Sequence, residues 1–184
     1  ATAAGLARAS TRELMDELGR VAARPVLRLQ GLDAPVTIAS IRLLKKDGDY
    51  FVHVRSKEGA EGLSLPQTGR PDTLAPILKD LVIPFFLGRD ARGLENDLWE
   101  LYRWKSNYKM YGIALWSPQA WVECAILDML GRMVKKPIGA LIGEVRRTRV
   151  PIYVASGRRD TTPEQEIGYL RKLVDESGAR ALKF

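Results

Sequence analysis

Two residue types that build many protein sites are almost missing from this sequence. Its 184 residues contain one cysteine, Cys124, and one histidine, His53. A single thiol excludes an internal disulfide framework and a cysteine-built zinc cluster. A single imidazole excludes zinc sites made from paired histidines. No apolar run approaches the roughly 18 residues needed to span a bilayer, so no membrane partner is expected. A basic block is missing too. The formal charge is +7, from 29 Lys+Arg against 22 Asp+Glu. The surplus is spread: 5 basic against 4 acidic residues over 1–35, 17 against 13 over 36–148, and 7 against 5 over 149–184. Nucleic-acid binders usually concentrate such charge on one face or segment, so no nucleic-acid partner is expected. What the chain does have is an ordinary globular balance, 46% hydrophobic and 28% charged residues, which argues against wholesale disorder.

Residues 1–35 read as an N-terminal extension, partly helical. Ala7-Arg8-Ala9 fits a signal-peptidase site, so bacterial export stands as an alternative to a cytoplasmic location, and a plain Ala-rich helix start explains the same residues. Ser10 and Glu13 form a capping-box pair ahead of Leu14, Leu18 and Val21. That spacing predicts an amphipathic helix over Thr11–Ala23, ended by Pro25.

Residues 36–148 change pattern. Thr37–Leu44 is rich in β-branched and aliphatic residues, Asp47-Gly48 is a turn signal, and Tyr50–Arg55 alternates. Glu58-Gly59 turns again before Ala60–Leu65. Three short strands with tight turns predict an antiparallel meander. Helical periodicity follows over Thr73–Ile83, with Pro84 as its expected stop. Asp90 is the expected N-cap of a helix through Leu94, Leu98, Leu101 and Tyr102. Ser117-Pro118 reads as a cap with proline at the first helical position, opening a helix to about Val134. Lys136-Pro137 breaks it, and Ile138–Ile142 makes a short helix ending at Gly143. Strands first and helices afterwards give an α+β arrangement.

Residues 149–184 change class again. Arg149–Ala155 is an apolar strand. Thr162, Pro163 and Gln165 start a helix whose apolar face carries Ile167, Leu170, Leu173 and Val174, and Gly178 stops it. Ala179–Phe184 starts a second strand. Strand–helix–strand is the opening of a parallel α/β sheet or barrel, and parallel strands are normally covered on both faces. One helix cannot supply that cover, so the chain is expected to be the N-terminal part of something larger.

In this order the segments resemble the enolase superfamily, in its mandelate racemase / muconate lactonizing enzyme branch. The run Ser117–Gly143 carries most of the likeness: Glu123, Ala125, Asp128, Gly131, Pro137, Leu141 and Gly143 fall in step with the branch's helix pattern, and Trp121 replaces a small residue. Gly88-Arg89-Asp90 with Glu95 and Trp99 is a second match. Val150-Pro151-Ile152-Tyr153 and Ala181-Leu182-Lys183-Phe184 are the third and fourth. The resemblance covers about 36–184. It implies an α+β capping domain, a three-stranded antiparallel meander plus helices, followed by the first strand–helix–strand of a (β/α)8 barrel of the TIM type. It also implies Mg²⁺, with ligands outside this segment, and removal of the proton next to a carboxylate to give a metal-stabilised enediolate. The implied activity is that of an acid-sugar dehydratase, racemase or cycloisomerase acting on a small carboxylate. The implied partners are the barrel remainder and further copies in a homo-oligomer. A non-catalytic fold member or binding module is the alternative.

The resemblance also suggests site residues. Lys183 matches the first lysine of the family's K-x-K motif, which contacts the substrate carboxylate. The loop Leu65–Pro71 maps to a specificity loop of the cap, with Gln67, Thr68 and Arg70 as expected substrate contacts. The loop Lys45–Asp49 is short for a lid. Tyr153-Val154-Ala155-Ser156 is one residue longer than the family's usual ending, and strand alternation then sets Ser156 opposite Tyr153 and Ala155. Other residues read as structural. His53 is expected to be packed in its strand, and Cys124 buried and inert. The four tryptophans are expected to pack the domains together. Glu123 and Asp128 are expected at a helix terminus or in interdomain pairs.

Overall fold

The computed structural model describes residues 10–67, 70–157 and 160–183. Thr68 and the Ala7-Arg8-Ala9 run lie outside the described residues. The chain divides into two units, residues 1–144 and 145–184.

The first unit starts with helix α1, Thr11–Ala22, capped by the reciprocal Ser10–Glu13 box and carrying no buried residue. Beyond it the chain joins the core of the unit. Val26 and Leu27 donate their N–H groups to the Glu95 carboxylate, Arg28 N–H bonds the Leu141 carbonyl, and Leu32 is buried.

The meander follows as β1 (Ile38–Lys46), β2 (Asp49–Ser56) and β3 (Glu61–Ser64), antiparallel in the order β1-β2-β3. Asp47 and Gly48 both have positive φ, the two-residue turn that matches strand twist. Val52 and Val54 alternate inward and are fully buried. A register shift between Ile38 and Ser40 lets both Ile38 and Ile41 face the core. That face packs on α5, Ile113–Val134, which buries Val122, Ala125, Ile126, Met129 and Leu130. Gly62 makes the approach possible. A Cβ there would stand 2.7 Å from Met129 Cβ and closer still to the helix backbone. Asp128 accepts the Leu63 N–H (2.9 Å), and the Ser64 hydroxyl donates to the Trp121 carbonyl (2.6 Å), so β3 is stitched directly to α5.

Two prolines behave differently from expectation. Helix α2, Arg70–Ile77, starts three residues earlier than periodicity suggests and leads into a π-helical stretch, Leu78–Val82, then α3, Ile83–Phe86. Pro84 does not stop the helix. The Ile83 N–H reaches back five residues to the Leu78 carbonyl, and this widening admits a ring that would clash in a regular α-turn. Pro118 likewise sits inside α5 and is buried. The helix begins a turn earlier, after Gly112, and Trp116 N–H bonds the Gly112 carbonyl. Proline removes one ladder bond there, and burial of its ring offsets the loss. Between these helices, Asp90 caps a 3-10 turn over Ala91–Gly93, followed by α4, Leu94–Arg103, and by a segment over Trp104–Met110 whose 3-10 turns are interrupted by left-handed Lys105 and Ser106. Helix α6, Ile138–Ile142, ends the unit's regular structure at Gly143.

In the second unit β4, Val154–Ala155, and β5, Leu182–Lys183, pair in parallel. The regular strands are shorter than the apolar runs that predict them. Helix α7, Pro163–Ser177, joins them. It is capped by a reciprocal Thr162–Gln165 box and closed by left-handed Gly178. This is the expected strand–helix–strand, with Val154 opposite Leu182 and Ala155 opposite Lys183.

Candidate functional site

The expected substrate loop is brief. Leu65, Pro66 and Gln67 follow β3, with Pro66 buried and Gln67 exposed, and half-buried Arg70 is already the first residue of α2. The Arg70 N–H points back to the Gln67 carbonyl at 3.4 Å, so these two candidates are brought together at one corner of the first unit. Next to Arg70 in sequence is a cluster that motif reading missed. Lys45 donates to the Tyr50 hydroxyl (2.8 Å) and stands 3.7 Å from Asp72, and the Tyr50 hydroxyl donates to Asp72. The Lys45 ammonium also lies over the Tyr50 ring. The Tyr50 hydroxyl, with Asp72 behind it, holds the Lys45 ammonium above its ordinary range. The effect is to tie the β1–β2 hairpin to the start of α2. The sequence signal was slight: a lysine and a tyrosine at paired positions of a predicted hairpin.

The residues of the Gly88-Arg89-Asp90 match turn out to knit the first unit together. Gly88 N–H bonds the Ile38 carbonyl, and Ile38 N–H bonds the Arg89 carbonyl. Arg89 lies over the Phe85 ring and donates to Asp97 (2.6 Å) and Glu100 (2.7 Å). Asp90 accepts from Val36 N–H and holds Arg92 through both carboxylate oxygens. Burial opposes that charge, but Arg92 and the two backbone N–H groups together outweigh it, and the Asp90 carboxyl falls below its usual range.

The long-helix match is structural as well. Asp128 pairs within the first unit, with Leu63 N–H and with Arg132 at 2.7 Å, rather than at a helix terminus or between domains. Glu123 is half-buried beside Leu94, Leu98 and Leu127, and burial raises its carboxyl above the ordinary range. Cys124 is exposed, not buried: it stands one residue off the buried face that carries Ala125. Trp121 is buried in the core of this unit and Trp104 packs against Phe85. His53 is buried as expected, with Arg42 at 3.1 Å on Nδ1 and Glu61 at 3.5 Å from Nε2.

Lys183 stands in the second unit, at the C-terminal end of β5 beside Ala155, with an exposed side chain. The Ser156 N–H bonds its carbonyl at 2.9 Å, which fixes the backbone at the strand end. Among the described residues no three His, Cys, Asp or Glu side chains gather closely enough to hold a metal ion. No helix among them is long and apolar enough to cross a membrane.

Residues 30–143 match the mandelate racemase / muconate lactonizing enzyme N-terminal domain. The chain belongs to that family. A D-mannonate dehydratase of Xanthomonas oryzae pv. oryzicola is 30% identical over 122 residues, which is 65% of this chain and 29% of the relative. Among solved structures, a candidate racemase from Roseobacter denitrificans superimposes with a TM-score of 0.70 at 29% identity, over 80% of this chain and 40% of that one. A mandelate racemase/muconate lactonizing protein from Paracoccus denitrificans PD1222, complexed with magnesium, has the same fold, with a TM-score of 0.68 at 21% identity over 80% and 41% of the two chains. The chain therefore spans less than half the length of these relatives. The α+β first unit is the family's capping domain.

Proposed function

We propose that this chain serves an acid-sugar dehydratase of the enolase type, an enzyme that removes the proton α to a carboxylate and expels the neighbouring hydroxyl. The observation that carries the reading is a capping domain matched over 30–143 and followed by a parallel strand pair that ends at Lys183. The identity of the matched D-mannonate dehydratase supports a sugar acid as the substrate class.

The chemistry needs cationic groups where charge develops. A proton α to a carboxylate is weakly acidic because its removal adds a second negative charge to an anion. The Lys183 ammonium, at the C-terminal strand end where barrels of this type hold their sites, contacts the carboxylate and offsets that added charge. Gln67, Thr68 and Arg70 contact the hydroxyl-bearing part of the substrate from the cap. Loss of the β-hydroxyl as water leaves an enol, which tautomerises to a 2-keto-3-deoxy acid. Magnesium dependence belongs to this reading through the magnesium-complexed relative of the same fold. The described residues do not form a site for the ion.

The test is turnover of a panel of sugar acids, D-mannonate included, by the complete protein, read as 2-keto-3-deoxy product. Lys183→Ala is expected to lower kcat by about 10²–10³-fold with little loss of stability, as for a transition-state electrostatic contact. Unchanged turnover removes Lys183 from the site. Absence of both product and α-proton exchange with D₂O across the panel overturns the reaction itself. The 184-residue chain alone is expected to be inactive.

A further inference from the structure

Among the described residues, two apolar surfaces of the first unit have no partner, and the chain sets them side by side. One is α1. Leu14, Met15, Leu18 and Val21 form its apolar stripe, and all are exposed. A free-standing helix of this length is marginal in water. The other is a groove of about 450 Å³ between α4 and α5, lined by Glu95, Leu98, Trp99, Tyr102, Trp116 and Gln119. Trp99 is 70% and Trp116 55% exposed.

The surfaces meet at one end. Ala22–Pro25, which end α1, share a cavity with Gly93, Glu95, Asn96 and Trp99 at the start of α4. Glu95 anchors the chain just beyond, through Val26 and Leu27 N–H. The C-terminus of α1 therefore sits at the N-terminus of α4, and a change of direction at Arg24-Pro25 would lay α1 antiparallel along α4. At 1.5 Å per residue the two helices are about 18 and about 15 Å long, a close match. Charge matches in this direction. In net terms, Glu13, Asp16 and Glu17 outnumber Arg12 in the distal part of α1 and come to the end where exposed Arg103, Lys105 and Lys109 outnumber Glu100, while Arg20 and Arg24 come to the end that carries Glu95. The parallel arrangement would oppose like charges.

We propose that α1 closes over the α4–α5 groove of its own chain, antiparallel to α4, with Leu14, Leu18 and Val21 covering Trp99, Tyr102 and Trp116. The family match begins at residue 30, so α1 lies outside it and the closure is a feature added to the shared fold. It is independent of the dehydratase reading.

The test measures tryptophan emission and acrylamide quenching of the 184-residue chain, with its mass in solution measured in parallel. Leu14→Asp/Leu18→Asp is expected to shift emission to the red and raise quenching, in a chain that is monomeric before and after. Helix α1 contributes nothing to the buried core, so far-UV circular dichroism of the remaining fold is expected to persist. Glu13→Lys/Glu17→Lys is expected to expose the tryptophans partly, and adding Arg103→Glu/Lys105→Glu to restore their shielding. Equal quenching of the parent chain and the Leu14→Asp/Leu18→Asp variant overturns the proposal. Shielding that appears only with doubled mass also overturns it, because a second copy is then the occupant.

Discussion

The two units of this chain treat apolar side chains in opposite ways. In the capping domain Val52, Val54, Phe86, Val122, Ile126 and Met129 are sealed between a meander and a long helix. In residues 145–183, Leu170 is the one buried hydrophobe among the described residues, while Val150, Ile152, Tyr153, Ile167 and Leu182 stay exposed. The local signals are equally good in both. Each unit has a reciprocal capping box, and each has a strand where alternation or apolar content predicts one. Good local signals therefore specify elements in either unit, but only three strands closed against a helix bury enough surface to hold them rigidly.

Production of the two units separately is the strongest way to break this contrast. Residues 10–144 are expected to melt in one cooperative thermal transition, and residues 145–183 to show none by circular dichroism. A cooperative melt of the second piece alone would show that its exposed apolar residues need no cover. Gly62→Ala comes next. The added methyl meets the α5 backbone and Met129, so a loss of about 3 kcal/mol or more is expected in denaturant unfolding. Asp128→Ala removes the acceptor of Leu63 N–H and the partner of Arg132, and about 1 kcal/mol is the expected cost. Gly168→Ala sharpens the comparison with the opposite sign. Gly168 lies inside α7, and a methyl added there would meet nothing within 4 Å, so alanine is expected to stabilise that helix by about 0.5–1 kcal/mol. A destabilising Gly168→Ala would mean that the second unit is packed more tightly than its exposure indicates.

Much of the fold was legible in the order of residues alone. The meander, its two turns, both capping boxes and the parallel pairing of the last two strands follow from turn chemistry, periodicity and crossover rules. The family resemblance rested on Asp90, Glu95, Asp128 and their neighbours, and the comparisons bear it out. The capping role of Asp90 was legible too, but the long-range partners of these residues were not. Asp90, Glu95 and Asp128 each accept backbone N–H groups of distant segments. Such partners are invisible to local spacing, since Val26 and Glu95 are 69 residues apart. Cys124 was misplaced for a related reason. It neighbours buried Ala125 in sequence, but a helix turns about 100° per residue, and that turn takes it off the buried face.

By itself the sequence determined where this chain turns, caps and changes period: at Asp47-Gly48, at Ser10 with Glu13, at Thr162 with Gln165, and at Gly178. Those features involve residues within four positions of one another, so their energies are set by local geometry. Only the tertiary structure decided that Pro84 and Pro118 lie inside helices, that Gly62 brings a strand against α5, and that Asp90, Glu95 and Asp128 hold backbone N–H groups of distant segments. Each of these depends on what packs across the fold, and the free energy of a proline ring, a missing Cβ or a charged group is set by that surrounding surface.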